Sequence, residues 1–234
     1  MERVSTYKGS FPALIVVPHG HDDPNTAIIA ESIVEEIDAY AVINRGWKRA
    51  DQHDYYADKA NCNNYHHIHE DVVREEFLDP ILNYVERIHN KESGPPNIFV
   101  IHGVSNSIRQ TVGGDALDVI IGYGEGKPPS YTCPVEFKHT FMCLLDKADL
   151  RVYQGKAGGA YSARRMSNIA QLFRTSEYLD EDVFTIQMEI IRELREDDYA
   201  AKETGIALSS VIKDTLYLRD YGKGYDSGVK FPYI

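Results

Sequence analysis

Cysteine is scarce in this chain, with only Cys62, Cys133 and Cys143 among 234 residues. An odd number leaves one unpaired in any disulfide scheme, and no CxxC spacing occurs. Neither a disulfide framework nor a zinc knuckle is indicated, and a reducing compartment is expected. Basic residues are also short, 25 Lys and Arg against 36 Asp and Glu for a formal charge of −11, and they form no stripe that could neutralise a row of phosphates. Nucleic acid is therefore excluded as a partner. No apolar run approaches the roughly 18 residues a membrane helix needs, so no membrane partner is expected. The start of the chain, Met1-Glu2-Arg3-Val4-Ser5, lacks a basic region leading into a long apolar stretch, and Ala13 to Val17 is too short for a signal peptide. Cytoplasmic residence is the default expectation. No internal repeat is present.

What is present reads as an ordinary globular chain, 43% hydrophobic and 26% charged, of a length that suits one domain over residues 1–234. Short β-branched runs at Ala13 to Val17 and Ile98 to Ile101 read as strands buried on both faces, and each leads into a His-Gly pair, His19-Gly20 and His102-Gly103. Further strands are predicted at 39–43, 118–122, 151–154 and 183–190. Helices are predicted from about residue 26 to Ile37, opened by cap chemistry in Asp23-Pro24-Asn25-Thr26, and from Glu70 to His89 with Pro80 as a kink. Two more are predicted at 135–145 and 206–218, and a Gly/Tyr-rich tail runs from Tyr221 to Ile234. This alternation predicts an α/β fold, a three-layer α/β/α sandwich on a mixed, mainly parallel sheet.

Open α/β sheets bind ligands at the ends of their strands, which is where both His-Gly pairs fall. Neutral imidazole and carboxylate suit zinc, and a catalytic site needs three protein ligands with one position left open. His19, His102 and either Asp22 or Asp23 meet that count. The glycine after each histidine implies a sharp turn or a close approach. A rival cluster, His53 with His66, His67 and His69, lacks the i, i+4 spacing of helical metal ligands and reads as solvated or substrate-facing. In Phe184 to Ile191, alternation sets Ile186, Met188 and Ile190 on one side and Gln187 and Glu189 on the other. A carboxylate so placed is either salt-bridged or a general base beside a metal-activated water. Asn44-Arg45 directly follows a strand and has the chemistry to grip a carboxylate, while Arg164 and Arg165 are further candidates for anions.

Together these blocks resemble the N-formylglutamate amidohydrolases, with a more distant likeness to phage poly-γ-glutamate hydrolases and zinc carboxypeptidases. The likeness is carried by Val17-Pro18-His19-Gly20, Asn44-Arg45, Ile101-His102-Gly103, Gly158-Gly159-Ala160-Tyr161-Ser162-Ala163-Arg164 and Ile186-Gln187-Met188-Glu189-Ile190. It implies a phosphorylase/hydrolase-like sandwich in which His19, an acidic residue and His102 hold Zn2+. It further implies that Glu189 is the catalytic glutamate, that Asn44 and Arg45 bind a substrate carboxylate, that Tyr161 is a further substrate-binding residue, and that Arg164 is a second carboxylate or oxyanion partner. A His-x-x-acid pattern selects Asp22 as the acidic ligand. The likeness of Asp23-Pro24-Asn25-Thr26 to a Glu-Pro-Gly-Thr of the poly-γ-glutamate enzymes selects Asp23. Two departures stand out: Val42 occupies a position that is acidic in the Asp-x-Asn-Arg pattern, and the metal carboxylate is an aspartate where the carboxypeptidases have glutamate. The expected function is zinc-dependent cleavage of a small, carboxylate-bearing amide. The alternatives are a carboxypeptidase-like metallopeptidase and a non-catalytic protein that binds an acidic molecule on the same fold.

Overall fold

A computed structural model describes residues 2–91, 95–112 and 117–221. One sheet of seven strands runs through them in the order β1-β3-β2-β4-β7-β5-β6. Its strands are β1 (Val4–Tyr7), β2 (Phe11–Val17), β3 (Ala39–Asn44), β4 (Asn97–Val104), β5 (Val119–Gly122), β6 (Val152–Gln154) and β7 (Phe184–Ile191). Pairing is parallel for β2 with β3, β2 with β4, β4 with β7 and β5 with β6, and antiparallel for β1 with β3 and β5 with β7. The sheet is therefore mixed and mainly parallel, as the alternating pattern predicts.

Period-2 alternation sends successive side chains to opposite faces, and each face closes over a separate core. Ile15, Val17, Ile101, Met188 and Ile190 pack with helices α1 (Thr26–Ile37), α5 (Val135–Lys147) and α6 (Asp198–Tyr221). Leu14, Val16, Val42, Ile98 and Val100 pack with α3 (Asp79–Lys91) and with Trp47, Cys62, Ile68 and Phe77 of the segment that precedes it. These are the outer layers of a three-layer sandwich. From β2 the chain crosses through α1 to β3 on one side, then returns over the other face to β4 on the opposite side of β2. The strand order thus reverses between β2 and β4, and the crevice at their carboxyl ends is the place where such sheets take ligands. Among the described residues no helix is long and apolar enough to cross a membrane.

Several elements differ from the sequence reading. Strand β1 lacks a predicted counterpart because four residues with one buried apolar side chain carry too weak a pattern; it forms by adding to the exposed edge of β3. Strand β4 continues two residues past His102, so that histidine sits within a strand and not after its end. The predicted cap of α1 is absent: Asn25 takes a left-handed conformation and makes no side-chain cap, because its amide donates to the Arg195 carbonyl at 2.9 Å. The predicted kinked helix is α2 (Asp71–Val73), a π-helical turn (Arg74–Leu78) and then α3, with the irregular turn just ahead of Pro80, which has no N–H to give to the preceding turn. The histidine run at 66–69 lies in turns ahead of α2. A short α4 (Ile108–Val112) is unpredicted, and α6 starts eight residues before the predicted Ile206, at Asp198. Residues 92–94, between α3 and β4, lie outside the described residues, as do residues 222–234 of the Gly/Tyr-rich tail.

Candidate metal centre

The carboxyl ends of three adjacent parallel strands supply the chemistry. His19 follows β2 by two residues, His102 lies near the end of β4, and Glu189 lies near the end of β7, where the parallel register makes it the Cα partner of His102. Both side chains share the face of Val100 and Gln187. A tight turn after β2, in which the Asp22 and Asp23 amides donate to the His19 carbonyl, brings Asp23 back under the histidines. Gly20 permits this, since a Cβ there would overlap the Asn44 carbonyl.

Among the described residues, His19, Asp23 and His102 form the one group able to share a metal ion, their ligand atoms all within 4.8 Å of one another. Nδ1 of each histidine stands 3.7 Å from the same Asp23 oxygen, Oδ2, which also accepts from the Gly103 amide at 3.0 Å. Ligands on a tetrahedral ion with bonds of about 2.1 Å stand about 3.4 Å apart, so the spacing suits one small cation. Opposite Nδ1, the Nε2 of His19 lies 3.0 Å from the Asn61 side-chain oxygen. That acceptor keeps the proton on Nε2 and leaves the Nδ1 lone pair facing Asp23, the outer-shell arrangement typical of metal-binding histidines. Nε2 of His102 is buried without a hydrogen-bond partner among the described residues.

Protonation states are consistent with this donor set. Burial opposes the charged form of Asp23, but the neighbouring His102 and His19 rings and the Gly103 amide, which donates to it, outweigh that cost and hold the carboxyl well below its usual range. Burial also pulls His102 down to about 4, with Asp23 opposing the shift, so its imidazole is neutral at physiological pH. Glu189 is half-buried, and burial with the nearby Asp23 charge pushes it up to about 8. Its Oε1 accepts from Gln187 at 3.0 Å, whose own amide oxygen accepts from Asn168 at 2.9 Å. A cavity of about 440 Å³ opens over the group, with Arg49, Tyr161 and Glu189 in its walls. Tyr161 is half-buried there, its phenol pKa raised by burial and by Glu189.

Other expected site residues stand elsewhere. Asp22 is not part of that group and accepts from the Arg49 amide at 2.6 Å. Asn44 is buried and fully engaged: its amide nitrogen donates to the Pro18 and Trp47 carbonyls, and its oxygen accepts from the Gly46 and Trp47 amides. Arg45 turns to the opposite layer, where it donates to Ser5 at 2.7 Å and pairs with Glu31 of α1. The structure therefore does not bring Asn44 and Arg45 to the cavity, because one is spent on the turn that carries His19 and the other is neutralised by Glu31. Arg164 donates to the Lys127 and Pro128 carbonyls and, with Arg165, lines a neighbouring cavity of about 410 Å³. The rival histidines are dispersed: His53 packs on Trp47, His69 packs between Tyr65 and Tyr178, and His67 accepts from the Asn61 amide.

Three contributors carry no sequence signal of their own: Asn61, Arg49 and Arg195. Arg195 is 4% exposed, and its guanidinium donates to the carbonyls of Pro24, Val104 and Ile190, each one or two residues beyond Asp23, His102 and Glu189. It ties together the three segments that carry the site. Gly103 makes room for it, since a Cβ there would overlap the guanidinium. The close approach implied by the second His-Gly pair is therefore to a buried arginine.

No protein-family model and no curated protein sequence matches this chain. Solved structures do. N-formylglutamate amidohydrolase from Ralstonia eutropha aligns with a TM-score of 0.59 at 12% identity, over 94% of this chain and 99% of that one. A metallo-carboxypeptidase from Burkholderia cenocepacia aligns with a TM-score of 0.55 at 11% identity, over 94% of this chain and 66% of that one. A bacteriophage poly-γ-glutamate hydrolase aligns with a TM-score of 0.52 at 12% identity, over 94% and 89%. The chain thus shares its fold, at distant sequence identity, with three hydrolases whose kinds its residues resemble.

Proposed function

We propose that the protein is a zinc-dependent hydrolase of an amide that carries a carboxylate, a class that includes N-acyl amino acids and γ-glutamyl compounds. The observation that carries this reading is the register that sets Glu189 beside His102 on one face of the sheet, over a turn that brings His19 and Asp23 to the same point. Two imidazoles and one carboxylate, with the remaining directions open to a cavity, form the donor set of a catalytic zinc site. The named functions of proteins with this fold point the same way.

His19, Asp23 and His102 would hold the ion, with Asn61 orienting His19 and the Gly103 amide orienting Asp23. When bound, zinc supplies a Lewis acid that acidifies water to a pKa of about 7 and polarises an acyl oxygen. Glu189 takes the proton of the attacking water and returns it to the leaving amine nitrogen. In the metal-free protein burial and the Asp23 charge raise this carboxyl above its ordinary range, and a carboxylate of raised pKa is a stronger base for that shuttle. Gln187 and Asn168 fix the direction in which it faces. Tyr161 borders the substrate, and the cavity of about 440 Å³ is of a size that takes small molecules. The test is metal analysis together with turnover of N-formylglutamate, other N-acyl amino acids and γ-glutamyl peptides. The reading predicts bound zinc and hydrolysis of at least one of them; a protein that binds no zinc and cleaves none contradicts it.

A further inference from the structure

Resting on that reading, we propose that Arg49 is the residue that binds a carboxylate of the substrate, and that metal loading frees it to do so. Arg49 is the one lysine or arginine among the described residues that lines the cavity over His19, Asp23, His102 and Glu189. The chain's other arginines near this region are committed: Arg45 to Glu31, and Arg164 and Arg195 to backbone carbonyls. Arg49 makes no ion pair with a described residue of the protein. Its Nη1 lies instead 3.4 Å from His19 Nδ1, the same nitrogen that faces Asp23 Oδ2 at 3.7 Å.

Guanidinium and metal therefore compete for one lone pair. A divalent cation on Nδ1 occupies the acceptor that Arg49 uses and repels its charge, so the side chain must leave His19. Its main chain stays. The Arg49 amide donates to Asp22 Oδ2 at 2.6 Å, and the preceding Lys48 is held on both sides, its amide by the Asp58 carbonyl and its carbonyl by the Ala60 amide. The guanidinium thus pivots from a fixed base at the cavity wall, with its planar fork of donors unpaired and matched to a carboxylate. Asp22 and Asp23 divide the work: Asp23 faces the histidines, and Asp22 sets the position of the arginine.

The test uses full-length Arg49→Gln, a substitution at an exposed side chain, beside the wild type. Zinc affinity is measured by competition with a chelating dye. Binding of L-glutamate, and of its diamide as a probe lacking both carboxylates, is measured calorimetrically on the zinc-loaded and metal-free proteins. Zinc-loaded wild type should bind L-glutamate at least about tenfold more tightly than zinc-loaded Arg49→Gln, more tightly than it binds the diamide, and more tightly than metal-free wild type does. Arg49→Gln should bind zinc at least as tightly as wild type. Equal behaviour of the two proteins toward L-glutamate, including no binding by either, overturns the proposal, and so does weaker zinc binding by Arg49→Gln. Failure of the hydrolase reading looks different: the glutamate and zinc results stand, but wild type cleaves no amide.

Discussion

On the sheet face covered by α1, α5 and α6, the side chains of β2, β4 and β7 join an apolar cluster, through Val17, Ile101, Met188 and Ile190 to the last turns of the strands. On the face covered by α3 the same strands begin as core, with Leu14, Val16 and Val100, and end in His102, Gln187 and Glu189, with His19 just beyond. One face holds the strands in register, and the other turns that register into chemistry. The alternation that builds a core on one side places titratable groups side by side on the other, so a slip of one residue would exchange the two.

The sharpest way to separate the faces is Glu189→Gln. It should cost about 10²- to 10⁴-fold in turnover while zinc stays bound, measured by steady-state kinetics alongside metal analysis. Unchanged turnover would remove Glu189 from the reaction, whereas no turnover by either protein would point to a binding protein on this scaffold. Next come the neighbouring aspartates. Asp23→Asn should weaken zinc binding by more than the roughly 10- to 100-fold typical of an outer-shell partner, whereas Asp22→Asn should leave zinc affinity near that of the wild type. Equal losses from the two would break the assignment of Asp23 to the metal side. On the apolar face, Phe141→Ala in α5 should lower unfolding free energy by about 3–5 kcal/mol in denaturant titrations, with the zinc affinity of the folded fraction preserved.

The smallest expected effect is in the pH dependence of metal-free stability. The pKa of Glu189 is raised from 4.5 to about 8 by folding, so the native state holds more protons across that window and stability falls as pH rises through it. For His102, lowered from 6.5 to about 4, the sign reverses, and stability falls as pH drops through its window. Between the two effects, only Glu189 acts above about pH 6.5. Metal-free Glu189→Gln should therefore gain on wild type between about pH 6.5 and 8, read as the difference in urea midpoints at the two pH values. A gap that stays constant would contradict a raised Glu189.

Much of the fold was legible because the sheet is buried: Ala13 to Val17 and Ile98 to Ile101 can hardly be anything but central strands, and β7 shows its two sides in the alternation of Ile186, Gln187, Met188 and Glu189. Edge strand β1 and the short α4 were not legible, since neither carries an apolar pattern long enough to show. At the site, the two His-Gly pairs and Glu189 could be read because strand ends and alternation locate side chains without knowledge of the tertiary fold. The choice between Asp22 and Asp23 could not, because it depends on how the turn after β2 closes. Arg45 misled for a similar reason. One position past the end of a strand, its side chain continues the alternation of Ala41 and Ile43 and reaches Glu31 on the far layer. Arg49 and Arg195 were invisible because what distinguishes them from other arginines is what surrounds them, a cavity wall in one case and three backbone carbonyls in the other.

The central claim is that His19, Asp23 and His102 make one metal site. It is tested most directly by zinc stoichiometry and X-ray absorption of the zinc-loaded protein, compared with His102→Ala and with a His66→Ala/His67→Ala double variant. The account predicts one zinc per chain with two imidazoles and one carboxylate among its ligands, lost in His102→Ala and unchanged in the double variant. Zinc that survives His102→Ala but leaves with His66 and His67, or a wild-type protein that binds none, would contradict it.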